Sequence, residues 1–208
     1  MKEDFLRPPQ SLAEWSADAL RVLGIIGVLI AAIWLAPTDA GIAALALPAL
    51  MLPRMLGVRG WFDVVVCLTV LAAAWSNVFD LYRSVPGWDL LLHLSCTGIL
   101  AVIAALILTR TGVAAVTRES GARARTPLTL LPLIALALSA VWEMIEWLGW
   151  AYLSDDIFVT YQDTIGDMVF GGLGGLAAGV VLARTSVERA VPDTRIEDAL
   201  RSGRAGKE

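Results

Sequence analysis

Charge is scarce in this chain, and so are the residues on which many catalytic and scaffold chemistries rest. Only 17% of its 208 residues are charged, and it holds one histidine and two cysteines. Soluble domains carry about 25% charged and about 45–50% apolar residues. Here 57% are hydrophobic, and mean hydropathy is +0.69. One globular core of this size cannot hide that much apolar surface, and neither a disordered nor a collagen-like chain has this composition. A net charge of −4 leaves no basic excess to neutralise phosphates, which excludes a nucleic-acid partner. Cys67 and Cys96 both lie inside apolar runs, so no disulfide scaffold is expected. What remains is an integral membrane protein.

A spanning helix needs about 20 mostly apolar residues. Six segments qualify: about 20–36, 40–56, 61–79, 89–109, 127–151 and 164–184. The second is short and holds Pro48 and Pro53, which a spanning helix tolerates where neighbours satisfy the freed carbonyls. Fifteen of the 16 basic residues then fall on one side: Lys2, Arg7 and Arg21; Arg54 and Arg59; Arg110, Arg118, Arg123 and Arg125; and Arg184, Arg189, Arg195, Arg201, Arg204 and Lys207. Only Arg83 falls on the other. The positive-inside rule makes the crowded side cytoplasmic. The expected fold is an all-α, polytopic bundle of six spans with both termini cytoplasmic. Residues 1–18 form a cytoplasmic N-terminal extension, 19–184 the membrane domain and 185–208 a cytoplasmic tail. The N-terminus does not resemble a cleaved signal peptide. Leu12, Trp15 and Leu20 could instead form one face of a short interfacial helix.

An ionisable side chain in lipid costs about 2.5–3.5 kcal/mol on insertion scales, so such residues turn to the bundle interior and mark function by default. Asp89 and His93 open the fourth span, Glu143 and Glu146 lie late in the fifth, and Asp163 and Asp167 open the sixth. Asn77 and Asp80 end the third. Alternating chain direction puts all of these within about two helical turns of the extracytoplasmic face. Spacings of i, i+3 and i, i+4 put each pair on one helix face. Five or six acids cannot all stay ionised in a low-dielectric site, so either some are protonated or a cation sits among them. Carboxylates with one imidazole suit Zn²⁺, Mn²⁺ or Fe²⁺, and oxygen ligands alone suit Mg²⁺ or Ca²⁺. A divalent ion (Zn, Mn or Mg) is the cofactor candidate, with Asp89, His93, Glu146, Asp163 and Asp167 as ligands. Glu143 and Glu146 are the candidate catalytic bases. The plainer alternative is that His93 hydrogen-bonds a glutamate and staples two helices.

Six of the eight tryptophans (Trp34, Trp75, Trp88, Trp142, Trp147 and Trp150) fall toward the outer face, as an aromatic belt requires. The sharper alternative has Trp88, Trp142 and Trp147 lining a groove to the acids. Gly171, Gly175 and Gly179, widened by Gly172 and Gly174, form a small-residue ridge. Such a ridge packs the sixth span into the bundle or, as the lesser alternative, makes a homo-oligomer contact.

Three motifs carry a resemblance: Trp88-Asp89 through His93 to Gly98, Trp142-Glu-Met-Ile-Glu-Trp147, and Asp163-Thr-Ile-Gly-Asp-Met168. Together they resemble the YjdF-type bacterial inner-membrane proteins, a family of unknown function, over about Asp80 to Gly179. The resemblance implies a multi-span protein of the bacterial plasma (inner) membrane whose signature is Asp89, His93, Glu143, Glu146, Asp163 and Asp167. A looser similarity is to VanZ-like membrane proteins, which are linked to glycopeptide tolerance, although this chain lacks their asparagine–glycine ending.

Three functions compete. In the first, a metal activates water or polarises a phosphoryl group of a lipid or cell-envelope precursor, in a hydrolase or transferase. No nucleophile supports covalent catalysis: Ser95 points away from the His93 face, and Cys96 sits deeper in an apolar run. In the second, the acids bind a cation or proton in a carrier. The site is shallow for that, no inverted repeat is visible, and Asp63 is the main polar residue of the inner half. In the third, the protein is a non-catalytic membrane scaffold. Reporter fusions test the topology. Alkaline phosphatase fused after Ser84 is expected to be active, and fusions after Arg125 or Arg184 inactive.

Overall fold

The computed structural model describes residues 2–153, 157 and 159–189. Asp155, Asp156, Arg195, Arg201, Arg204, Lys207 and the rest of the expected tail lie outside the described residues. The described residues are all-α, 79% of them helical, with no strand among them. Among the described residues eight α-helices follow one another: α1 (Lys2–Leu6), α2 (Leu12–Trp34), α3 (Pro37–Met55), α4 (Gly60–Ser76), α5 (Leu81–Ser84), α6 (Trp88–Arg110), α7 (Thr126–Tyr152) and α8 (Tyr161–Arg184). Four of these, α2, α6, α7 and α8, are long and apolar enough to cross a membrane, and α4 is a shorter apolar helix. The weaker pair have visible causes. Asp39, Arg54, Pro48 and Pro53 interrupt α3, and at 17 residues α4 is about 25 Å long.

Two helix ends differ from the apolar pattern. The first long helix begins at Leu12, eight residues before the apolar run. Ser11 caps it, its hydroxyl accepting from the Glu14 amide at 3.3 Å. Glu14 turns back to accept from the Gln10 amide at 2.6 Å and from Arg7. Ser-x-x-Glu is a capping-box pattern, so local hydrogen bonding extends the helix past its hydrophobic stretch. In the opposite sense, α4 stops at Ser76. The chain turns through Asp80, whose φ of +53° is left-handed, and Asn77 donates to Asp39 at 2.9 Å. Asn77 and Asp80 therefore belong to a surface turn and not to the acid cluster.

The long helices pack as two triplets, α2–α3–α4 and α6–α7–α8, joined chiefly through α4 and α6. In the first triplet a buried Arg21 holds three helices together. Its guanidinium pairs with Asp63 of α4 and, at 2.9 Å, with Asp18, and donates to the Leu50 carbonyl of α3 at 2.9 Å. In the second, α8 lies between α6 and α7 on glycines. A Cβ on Gly174 would come within 2.0 Å of the Leu94 carbonyl oxygen, and one on Gly98 within 2.7 Å of Gly174's. Gly171, Gly175 and Gly179 meet Ser139, Ala135 and Pro127 of α7 in the same way. The ridge is thus spent on packing inside the chain.

The basic residues Arg54, Arg59, Arg110 and Arg189 gather at one end. There the segment after α8 lies against the α3–α4 turn: the Arg59 amide donates to Val187 at 2.8 Å and the Arg189 amide to Gly57 at 3.1 Å. Arg189 pairs with Asp4 and Arg110 with Glu188 at 3.7 Å. Burial pushes the Glu188 carboxyl above the usual carboxylate range, and Arg110 draws it back.

Gly174→Ala is expected to lower the melting temperature in detergent, at a cost of about 1–3 kcal/mol, because two backbones must separate. Gly41→Ala is the control. A Cβ there meets nothing within 4 Å, so removing a helical glycine should be neutral or stabilising by up to about 1 kcal/mol.

Candidate functional site

Asp89 lies in the first turn of α6, just after Gly87, whose φ of +75° lets the chain turn sharply into the helix. One turn on is His93, buried. Trp88 anchors this end by donating its indole N–H to the Ser76 hydroxyl at 2.8 Å, so α6 starts against the end of α4. Glu143 and Glu146 come from the last turns of α7, and Asp163 and Asp167 from the start of α8. Thr160 caps α8, accepting from the Asp163 amide at 3.2 Å. Because α7 runs opposite to α6 and α8, these three ends coincide.

His93 is the hub. Its Nε2 lies 3.6 Å from Asp89 and 3.8 Å from Asp167. Its Nδ1 lies 4.0 Å from Glu143. Two groups could hold a metal ion, Asp89–His93–Asp167 and His93–Glu143–Glu146, each with donor atoms within 4.8 Å of one another. Asp163 belongs to neither group; it sits half-buried in the first turn of α8, where the helix dipole favours a negative charge. Ser139 was not singled out from sequence. It is fully buried and donates to the Asp167 carbonyl at 3.3 Å, fixing α8 against α7. A hydroxyl one turn before Glu143, on the same face, was the available signal.

The separations around His93 are too long for hydrogen bonds. Glu143 Oε1 and Asp167 Oδ1 are buried and have no hydrogen-bond partner among the described residues. Asp167 is 1% exposed. A histidine acting only as a staple would donate to one of these oxygens. The arrangement instead leaves carboxylate oxygens around the imidazole with nothing of opposite charge between them.

Beside the cluster, an open groove of about 360 Å³ runs between α7 and α8. Ala140, Met144, Trp147, Val159 and Met168 give it an apolar lining, with Glu143 and Thr164 as its polar members. Trp147 is therefore at once a half-exposed aromatic, edge-on to Tyr152, and part of a groove that Glu143 also lines. Trp142 is also exposed on α7, and Trp88 is tied to Ser76.

Apolar helices of spanning length around a polar cluster define a helical membrane protein. A family model described as a predicted membrane protein, DUF2238, matches residues 16–188, and the chain belongs to that family. This is the YjdF family, and the match extends the resemblance beyond the 80–179 stretch to α2, α3 and α4. No curated protein and no solved structure matches the chain.

Asp167→Asn replaces a buried carboxyl whose Oδ1 has no hydrogen-bond partner among the described residues. In chelator-treated protein it is expected not to lower the melting temperature, because an unpaired buried carboxylate costs stability. In protein saturated with Zn²⁺ the same substitution is expected to lower it. Calorimetry under both conditions checks the pair.

Proposed function

We infer that the chain crosses the bacterial plasma membrane six times with both termini cytoplasmic, and that its acid–histidine cluster holds a divalent cation near the extracytoplasmic face. Residues 1–18 and 185–208 are then cytoplasmic flanks of the membrane domain. The activity this supports best is that of a metal-dependent hydrolase or transferase acting on a lipid or a lipid-linked envelope precursor.

The observation that carries the reading is the pair of buried oxygens, Glu143 Oε1 and Asp167 Oδ1, without hydrogen-bond partners beside the only histidine. A buried carboxylate needs a counter-charge, and the nearest titratable neighbours are other acids and one imidazole. A bound cation would supply the missing charge, and with it Lewis acidity to activate water and polarise a phosphoryl or carbonyl oxygen. Around it, Asp89, His93 and Asp167 would hold the ion. Glu146 and Asp163 add negative charge close by, and a glutamate, Glu143 or Glu146, accepts the proton from water. Glu143 also lines the apolar groove, so an acyl chain lying in it brings a lipid alongside the same cluster.

One further buried acid argues against a carrier. Asp63, in the first triplet, is already neutralised by Arg21 and offers no onward station for an ion. Six crossings are supported by the basic residues of the α3–α4 turn, the end of α6 and the segment after α8, which share one end.

Elemental mass spectrometry of the detergent-purified protein, prepared without chelator, tests the reading. About one divalent metal per chain is expected, and less than a tenth of that in a folded His93→Ala, Glu146→Gln variant. A parent protein free of metal, and unable to take up Zn²⁺ or Mn²⁺ on dialysis, would remove the metalloenzyme.

A further inference from the structure

The two edges of the His93 ring face different acids. Nε2 looks toward Asp89 and Asp167, and Nδ1 toward Glu143. A neutral imidazole has one lone pair for a metal and one N–H to donate, so its edges cannot play the same part. Histidines that bind metals almost always donate the other N–H to a carboxylate, carbonyl or water, which fixes the tautomer and the ring's orientation.

We propose that the cation sits on the Nε2 edge, held by His93, Asp89 and Asp167, and that Glu143 is a positioning residue that accepts the Nδ1 proton and leaves Glu146 as the unligated base. This assignment rests on the cation reading above. Three observations separate it from the opposite arrangement, in which the ion sits between Nδ1, Glu143 and Glu146.

The first is spacing. Two donors about 2.1 Å from a tetrahedral ion lie about 3.4 Å apart. The Nε2 edge already has its two carboxylates at 3.6 and 3.8 Å. Glu143, at 4.0 Å, needs only to close by about 1 Å to accept an N–H bond.

The second is satisfaction of buried groups. An ion on Nε2 engages Asp167 Oδ1 while the Nδ1 proton serves Glu143 Oε1, so both orphaned oxygens gain a partner. In the opposite arrangement the single Nε2 proton can serve Asp167 Oδ1, but it then leaves Asp89, 3.6 Å from the same nitrogen, with neither the ion nor a proton donor.

The third is access. The Asp89 side chain is 35% exposed, so the Nε2 edge opens toward the outer end of the bundle. A catalytic metal keeps a position open for water or substrate. On the other edge Glu143 is 7% exposed, and the half-buried residue there is Glu146, which this assignment leaves free as the base.

The chain's single histidine makes the test direct, because protein labelled with ¹⁵N-histidine gives one pair of ring nitrogen signals. The full-length protein in detergent is loaded with ¹¹³Cd²⁺ in place of Zn²⁺. Cadmium coupling is expected on Nε2, with Nδ1 still protonated; coupling on Nδ1 would overturn the assignment. Zn²⁺ titration gives a second readout. Asp167→Asn is expected to abolish stoichiometric binding. Glu143→Ala should weaken binding by about 10–100-fold while keeping one ion per chain, and Glu143→Gln, which can still accept the proton, should recover most of that loss. Abolition by Glu143→Ala with retention in Asp167→Asn also overturns it. A parent protein that binds neither ion removes the cation reading and this assignment together, an outcome distinct from coupling on the wrong nitrogen.

Discussion

Between α6 and α8 the backbones touch, and the site depends on that contact. At Gly98 and Gly174 there is no room for a Cβ on either helix. Lipid tails are as apolar as leucine, so helices in a bilayer gain little from hydrophobic burial and associate through close packing and hydrogen bonds instead. Small residues on both sides allow that closeness. With α8 seated against α6 on one flank and against Ser139, Ala135 and Pro127 of α7 on the other, its first two turns are carried to where α6 begins and α7 ends. Asp167 reaches His93 because Gly171 and Gly174, one and two turns further along, let the helices meet.

The two triplets handle buried charge in opposite ways. In α2–α3–α4, Arg21 faces Asp63 and Asp18 and also donates to a backbone carbonyl, so its guanidinium is shared among three elements. That is a staple: removing one partner would strand the other, at about 3–5 kcal/mol. In α6–α7–α8 the acids outnumber their cationic partners, and two buried oxygens have no hydrogen bond. Stability alone does not account for such a cluster. The contrast within one chain, between a satisfied network and an unsatisfied one, separates a structural element from a candidate site.

Much of the helical layout was legible in the sequence. Each of the six apolar segments forms a helix, four of them long and apolar enough to cross a membrane, because an apolar stretch placed in lipid must close its own backbone hydrogen bonds. The ends were less legible where local chemistry overrides hydropathy. Ser11 and Glu14 extend α2 beyond its apolar run, and Asn77 prefers Asp39 to another turn of α4. Helical spacing put Asp89 with His93, and Glu143 with Glu146, on single faces, since i, i+3 and i, i+4 neighbours share a face whatever the surroundings. It could not tell that Asp167 would come closer to the imidazole than Asp163. That depends on how α8 is rotated about its axis, and the glycine contacts set that rotation.

The amino-acid order by itself determined that the protein is a helical membrane protein, that Asp89, Glu143, Glu146, Asp163 and Asp167 share one end of the last three long helices, and that Arg54, Arg59 and Arg110 lie at the other. Those properties follow from composition, period and alternating chain direction, which need no knowledge of partners in space. Only the tertiary structure decided which acids face which edge of His93, that Ser139 locks α7 to α8, that the glycine ridge is consumed inside the chain, and that Glu143 both lines the groove beside α7 and α8 and faces the imidazole. Each of these depends on distances between helices far apart in sequence, set by where side chains are small enough for backbones to meet.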